Sequence, residues 1–422
     1  MSRYKAYPEY KDSGVEWLGD IPSDWDSVRL KFAAELCGSK VDAGANERYV
    51  GLENIESGNG MYLEKEAVTP EGQSTSFSSG DVLFGKLRPY LAKSWMADFS
   101  GICSSEFLVL KSKKVCPRFL NYYTLTDEFI SQVDSSTYGS KMPRASWDFI
   151  GLLEVPIPVN ESQKIANFLD HETAKIDTLI AKQQELIKLL KEKRQAVISH
   201  AVTKGLNPNA PMRDSGIEWL GEVPAHWVVC SLKYKLKSLD FRRVPLSAEE
   251  RGSLQGEYRY YGASGVIDHI DDFIFDEPTI LVGEDGANLV NRSTPLAFPV
   301  RGRYWVNNHA HILKPDDGLV EYWAETIEHI DINPIVSGSA QPKLTAENLN
   351  NLKIAFPPSI EERIAITDYL EIQKKKFNEL IERSAQGIDL LHERRTALIS
   401  AAVTGKIDVR DWQPPSDAAI AA

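Results

Sequence analysis

The stretch "DSGVEWLGDIPSDW", Asp12 to Trp25, returns 202 residues later as "DSGIEWLGEVPAHW", Asp214 to Trp227. A repeat of this kind governs the reading of the whole chain, so the first question is how far it extends. A local motif would recur alone. Here "IANFLD" (Ile165 to Asp170) matches "ITDYLE" (Ile366 to Glu371), and "RQAVISHAVTKG" (Arg194 to Gly205) matches "RTALISAAVTGK" (Arg395 to Lys406). "GSKMPR" (Gly139 to Arg144) matches "GSAQPK" (Gly338 to Lys343) at nearly the same shift. The chain is two copies of one plan. Each has an opening segment, a body, a Pro-rich hinge ("VPIPVNES", Val155 to Ser162; "AFPPSIEE", Ala355 to Glu362) and a long helix. Proline disfavours helix just before itself and is tolerated in a first turn, so each hinge reads as a domain end and a helix start.

The helices follow from periodicity. Glu161 to Thr203 holds no Pro or Gly, and Ala166, Leu169, Ile176, Ile180, Ile187, Leu190, Val197 and Ala201 form a heptad stripe. Gln183 and Arg194 interrupt it. The second stripe is Leu370, Phe377, Ile381, Ile388, Leu391, Leu398 and Ala402, interrupted by Lys374, Ser384 and Arg395, with Gly387 beside it. Rods of roughly 60 Å at 1.5 Å per residue exceed a small domain's core. Each stripe therefore predicts pairing with the other, and its polar residues predict a fixed register. With antiparallel helices and two-fold pseudosymmetry, the two ends of the chain should meet.

The bodies share almost no sequence between these landmarks. Strand-like runs ("RYVGLENI", "DVLFGKLRPYL", "SSEFLVLK"; "YRYYGASG", "TILVGEDG", "AHILKP") broken by Gly and Asp predict mixed α/β or α+β domains. A constant frame with a divergent payload suggests two different readers. With 42% hydrophobic residues the chain can bury real cores, and its length fits two or three domains. Cys37, Cys103, Cys116 and Cys230 are scattered with no C-x-x-C or zinc spacing, which predicts reduced thiols. No apolar run approaches a membrane span, and "MSRYKAYPEYKDSG" has no apolar core, so a cytoplasmic protein is expected.

Catalytic signatures are missing. There is no phosphate loop, no G-x-S-x-G, no H-E-x-x-H, and no Asn-Pro-Pro-Tyr or Asp-Pro-Pro-Tyr of an amino-methyltransferase. "PDDGLVEYW" (Pro315 to Trp323) lacks the Glu-x-Lys of a nuclease and reads as an acidic loop. His309 and His311, two apart, read as the polar face of one strand rather than half a metal site, and Glu284-Asp285-Gly286 as a turn. What remains is basic, amide and aromatic residues at loops. The first half offers Lys86, Arg88, Tyr90, Lys93, Lys141 and Arg144. The second offers Arg242, Arg243, Arg259, Tyr260, Tyr261, Asn288, Asn291, Arg292, Gln341 and Lys343. Arg reads guanine edges and Asn or Gln adenine edges in two-pronged fashion, while Lys holds phosphate. As a set, one per half, they form a candidate DNA surface. The net charge of −12 and pI near 5.3 argue the other way.

At this point the chain resembles the specificity subunit of type I restriction–modification enzymes. The resemblance rests on "EWLGDIPSDW" and "EWLGEVPAHW", the hinges, the helices ending "AVISHAVTKG" and "ALISAAVTGK", and the body segments "YVGLENI", "GDVLFGKLRPYL", "YYGASGVID", "LVGEDGANL" and "WVNNHAHIL". It implies an α+β (mixed α/β) fold with two pseudo-symmetric target recognition domains joined by two long antiparallel coiled-coil helices. The boundaries would be 1–158 and 214–357 for the two domains, 159–204 and 358–406 for the helices, 205–213 for a linker and 407–422 for a tail. It implies a non-catalytic subunit that reads a bipartite site on double-stranded DNA, with helices that set the spacing and dock two modification subunits. Motor–nuclease (restriction) subunits would complete the complex. S-adenosylmethionine, ATP and Mg would belong to those partners, with no cofactor and no metal in this chain. Only two faces then need be basic. A stand-alone DNA methyltransferase or nuclease, or a structural coiled-coil adaptor, are the competing readings.

Overall fold

The structure, a computed structural model, describes residues 4–42, 48–65, 73–139, 141–158, 160–338 and 341–414. Its two longest elements are helix α1 (Ser162–Lys204, 43 residues) and helix α2 (Ile360–Val403, 44 residues), as the stripes require. The chain divides into two compact units: Met1–Gln184 with Ala385–Ala422, and Glu185–Ser384. The linear order of domain, helix, domain, helix is cut differently here, because each long helix is shared between the units.

In the first unit, Ile165, Phe168, Leu169, Ile176 and Ile180 of α1 share one core with Leu398, Ile399, Ala402 and Val403 of α2. Arg395 Nε donates to Asp177 Oδ1 at 2.9 Å, and Lys164 reaches the Arg410 carbonyl. As α1 runs back from Asp177 to Lys164, the chain of α2 and the segment that follows it advance from Arg395 to Arg410, so the packing is antiparallel. In the second unit, Ile198, Ala201 and Val202 of α1 pack with Ile366 and Leu370 of α2, and Arg194 Nη1 donates to Asn378 Oδ1 at 2.7 Å. Arg194 and Asn378 stand where Arg395 and Asp177 stand in the other copy. The arginine breaks in the two stripes are thus one cross-helix contact made twice. Leu169, Ile176, Ile180, Leu370, Phe377 and Leu398 are buried along the seam, and Ile187, Leu190, Val197, Ile381, Ile388 and Leu391 are half-buried.

The repeated opening stretch closes a helix end. Strands Tyr10–Asp12 and Asp20–Pro22 form a hairpin, as do Met212–Asp214 and Glu222–Pro224, with Asp12 facing Asp20 and Asp214 facing Glu222. Asp12 and Asp214 each accept the amide two residues on at 2.9 Å, the side-chain turn that Asp favours. Trp25 and Trp227 are then buried against the glycine that terminates a long helix. Gly205 (φ +77°) ends α1 beside Trp227 and Pro224; Gly405 (φ +76°) follows α2 beside Pro22 and Trp25. A left-handed residue after a helix satisfies its last carbonyls, and glycine adopts it freely. At Gly405 a Cβ would sit 2.3 Å from Pro22 Cδ. In the second unit the chain runs straight from helix end into hairpin. In the first the two are joined only in space, where Tyr10 Oη donates to the Gly405 carbonyl and Asp408 N to the Lys5 carbonyl (3.1 and 2.9 Å). The N- and C-terminal segments therefore meet, as the pseudosymmetry predicts.

Each unit carries the same four-stranded antiparallel sheet. In the first it comprises β1 (Ala34–Cys37), β2 (Val82–Gly85), β3 (Ser94–Met96) and β4 (Phe107–Ser112), in the order β1-β4-β2-β3. In the second it comprises β5 (Leu236–Ser238), β6 (Thr279–Gly283), β7 (Ala297–Val300) and β8 (Ala310–Pro315), in the order β5-β8-β6-β7. Strand side chains alternate faces. Val82, Phe84, Leu108 and Leu110 accordingly join the core that includes the long helices, while Leu83, Phe107 and Val109 join a second, smaller core. In the second unit Ile280, Val282 and Leu313 split from Leu281 and Ile312 in the same way. The halves diverge beyond this sheet. The first has a further four-stranded sheet, Lys40–Asp42, Gln73–Phe77, Gly101–Ser104 and Tyr49–Val50; the second has three strands, Gly265–Ile270, Gln255–Gly262 and Tyr304–Val306.

Candidate nucleic-acid interface

In the first unit, the turn after β2 and the segment Thr137–Ala145 are laced together by their backbones. Lys86 N donates to the Glu106 carbonyl (2.9 Å), Arg88 N to Pro143 (2.8 Å) and Ala145 N to Lys86 (2.9 Å), while Tyr138 and Arg144 exchange two bonds (3.1 and 3.0 Å). The second unit makes the same five. Glu284 N donates to His309 (2.9 Å), Gly286 N to Pro342 (3.1 Å) and Leu344 N to Glu284 (2.8 Å), and Ser337 and Lys343 exchange two (2.9 and 2.8 Å). This explains the glycine and proline that the two loops share. Gly139 (φ +94°) and Gly338 (φ +86°) turn the loop, and a Cβ on Gly338 would lie 2.5 Å from the Gln341 carbonyl oxygen.

The side chains on this common platform differ. In the first unit Arg88, Tyr90 and Lys141 are exposed and Lys86 is half-buried. Arg88 adopts the left-handed conformation (φ 50°, ψ 63°) that Gly286, its counterpart, adopts at no steric cost. Such strain in a non-glycine residue is held by its surroundings, here by the bond to Pro143, and collects at functional sites. Arg144 is fixed by Glu106, which accepts from its Nε and Nη2 at 3.0–3.2 Å and raises its pKa above the usual arginine value. Lys93 lies apart from this group, donating to the Leu52 and Ile55 carbonyls (2.6 and 2.9 Å). The exposed Tyr138 and Met142, flanking Lys141, were missed by sequence reasoning because apolar side chains at a loop tip carry no charge signal.

The second unit corrects several sequence expectations. Tyr260 is fully buried, its Oη accepting from Leu246 N at 3.0 Å, and Tyr261 packs edge-on to Tyr304. Both rings build the core and present nothing to a ligand. Arg242 pairs with Glu277, donates to the Ile274 carbonyl at 2.9 Å and lies over the Phe275 ring. Arg243 donates to Glu284 Oε2 (2.5 Å) and the Ala310 carbonyl (3.0 Å). Asn288 closes its own loop through Thr294 N and O (2.8 and 3.0 Å), and Arg292 donates to the Ile330 carbonyl at 3.1 Å. Asn291, Arg259 and Gln341 remain exposed, and Lys343 is exposed beside Glu284 at 3.3 Å. The outward set is therefore smaller in this unit. The carboxylates that hold the arginines inward lie 35 and 41 residues away in sequence.

The acidic stretches also resolve. Asp317 of "PDDGLVEYW" accepts from Trp323 Nε1 at 3.0 Å and from Leu319 N at 3.0 Å, a loop contact. His309 pairs with Asp285 at 2.8 Å at the surface, whereas His311 is 1% exposed and bonded to Asp240. Among the described residues no three His, Cys, Asp or Glu side chains are grouped to hold a metal ion, and no helix is long and apolar enough to cross a membrane.

Comparison with known proteins adds the following. Residues 242–390 match the family model described as the type I restriction modification DNA specificity domain. The type I restriction enzyme EcoDI specificity subunit of Escherichia coli is 24% identical over 191 residues, 44% of this chain and 43% of that one. The aligned chain thus spans less than half the length of that relative. The putative MjaX specificity subunit of Methanocaldococcus jannaschii is 24% identical with 93% and 96% covered. Among solved structures, a chain from work on complex assembly and conformational transition of the type I R-M system superposes with a TM-score of 0.71 at 19% identity, covering 92% of this chain and 99% of that one. The crystal structure of the HsdS subunit from Thermoanaerobacter tengcongensis gives 0.54 at 19%, covering 92% and 98%. These likenesses support the fold.

Proposed function

We propose that this chain is a specificity subunit of the type I restriction–modification kind, as the domain matched over residues 242–390 and the specificity subunits it resembles support, and that it reads a bipartite sequence on double-stranded DNA, one half-site per unit. The observation that carries this is the platform built twice on the same five backbone bonds with different side chains. A fixed frame presents a loop to a groove; the residues on it decide which bases are preferred. In the first unit Arg88 is the base-reading candidate, Lys86 and Lys141 the phosphate contacts, and Tyr90 with Tyr138 apolar wedges. In the second, Asn291 and Gln341 are the adenine-reading candidates and Lys343 the phosphate contact.

The chain itself is non-catalytic in this reading. Two modification subunits dock on it and carry out methyl transfer with S-adenosylmethionine, and motor–nuclease subunits supply ATP- and Mg-dependent cleavage. The partners' own basic surfaces offset the −12 charge of this chain. The test is selection from a random DNA pool by the full chain assembled with its modification subunits. Enrichment of a two-part sequence with a fixed unread spacer is expected. Recovery of unselected DNA would reduce the chain to a coiled-coil adaptor, and methyl transfer by the pure chain alone would make it an enzyme.

A further inference from the structure

Most side chains facing the main core of the second unit are apolar. His311 of β8 is an exception, 1% exposed and facing acceptors on both sides. Its Nδ1 lies 2.6 Å from Asp240 Oδ2 and its Nε2 lies 2.8 Å from the Leu344 carbonyl oxygen. A peptide carbonyl can only accept. Asp240 is ionised, because its other oxygen accepts from Ile312 N at 2.7 Å and Arg243 stands 3.8 Å away. A neutral imidazole has one donor, so either tautomer would aim a lone pair at an oxygen. Both contacts are satisfied together only by the imidazolium.

The position matters because of what Leu344 is. It ends the segment Ser337–Leu344, and its own amide donates to Glu284 in the platform. We propose that His311, held as an imidazolium, is the positioning residue of the second reading loop and makes discrimination at that half-site alone depend on pH. The inference rests on the DNA-reading function proposed above.

The charged groups around the ring are consistent with this. Asp240 comes from the turn after β5, and Glu284, 3.8 Å from Nδ1, from the loop after β6. Arg243 bonds Glu284 at 2.5 Å, and Lys343, beside Leu344, stands 3.3 Å from it. His309, two residues before, is engaged with Asp285. Burial works against the proton on His311. The Asp240 hydrogen bond, the Leu344 carbonyl and the charges of Asp240 and Glu284 outweigh it and raise the pKa above the ordinary histidine value. Burial likewise pushes Glu284 and Asp240 up, and their cationic partners more than reverse it. A raised folded pKa fixes the sign: the contact contributes in full below about pH 6.5 and is lost as pH climbs through the raised value.

The first unit has no such device at this point. Leu108 pairs with Phe84 as His311 pairs with Val282, and Phe107 with Gly85 as Ala310 pairs with Gly283. Leu108 therefore occupies the same place in the frame, and Ala145 takes that of Leu344.

The experiment is pool selection by the complete modification complex across about pH 6 to 9, with the second half-site assigned by exchanging residues 214–356. Preference at that half should fall about tenfold towards alkaline pH while the other half holds. His311→Leu should show weak, pH-independent second-half preference. His311→Gln, which keeps a donor for Leu344, should recover part of it and also be flat with pH. Equal decline at both halves, or no decline at either, overturns the proposal. Nitrogen-15 NMR of the imidazoles in the free full chain gives a readout that needs no DNA. Both His311 nitrogens should carry protons at about pH 6, below the ordinary histidine value, and one bare nitrogen there overturns the imidazolium. A complex that selects no sequence at any pH would instead defeat the DNA-reading function, with the NMR result still judging His311.

Discussion

At the same point of the repeated sheet, the first unit places Leu108 and the second His311; at the turn that follows the neighbouring strand, the first places Lys86 and Arg88, the second Glu284 and Gly286. The backbone bonds are the same, and the charge distribution is nearly inverted. In the first unit the platform points cations outward, with Glu106 steadying Arg144. In the second, Glu284 lies at the centre and draws Arg243, Lys343 and His311 around it. The comparison teaches that hydrogen-bonded backbone can be conserved across a duplication while its side chains are exchanged freely, since strand pairing and a glycine turn make few demands on side-chain charge.

The largest test of this independence is exchange of residues 214–356 for the matching segment of a relative. One half of the selected sequence should change completely and the other stay as it was. A change in both halves would show that the platforms are coupled.

The helix contacts offer a sharper comparison, because one cross-helix bond occurs once as an ion pair and once as a guanidinium donating to a neutral amide. Arg395 is buried and meets the Asp177 carboxylate; Arg194 is half-buried and meets the Asn378 amide. Arg395→Ala should cost about 1–3 kcal/mol of stability, discounted for the partly exposed aspartate, and Arg194→Ala about 0.5–1 kcal/mol. Urea unfolding at constant m-value reads both. Equal losses would mean that the partner's charge is irrelevant.

A third comparison sets Arg88 against Gly286. Arg88→Gly relieves a left-handed side chain and should stabilise the fold by up to about 1 kcal/mol while weakening first-half preference. Gly286→Ala introduces that strain and should destabilise by about 1 kcal/mol with the first half untouched. Thermal melting and pool selection together separate the two effects. If Arg88→Gly leaves selection unchanged, the arginine is not a reader.

A last comparison concerns the two tyrosines that sequence treats alike. Tyr260→Phe removes the bond from Leu246 N and should cost about 0.5–1.5 kcal/mol with no change in the selected sequence. Tyr90→Phe should leave stability within about 0.5 kcal/mol, as an exposed site does. Altered selection by Tyr260→Phe would place that ring at the DNA after all.

Much of this architecture is legible in the sequence. The duplication, the hinges and both long helices follow from local, redundant signals: a heptad stripe repeats its message many times, and proline and glycine act on their own neighbours. The opening stretch shows its importance by recurring, and its tryptophans, prolines and Asp-x-Gly turns are read directly.

What only the tertiary structure decided was which loop side chains face outward. Arg88 and Arg243 are equally basic in sequence, yet one is exposed and the other is held by a carboxylate 41 residues away. Tyr90 and Tyr260 are equally aromatic, yet only one strand's sheet position buries its ring. The unit boundaries, which divide each long helix, and the meeting of Gly405 with Pro22 are likewise set by contacts between distant segments. Periodicity is a property of neighbours along the chain, and sequence carries it; burial and charge pairing are properties of neighbours in space, and for those the chain must first fold.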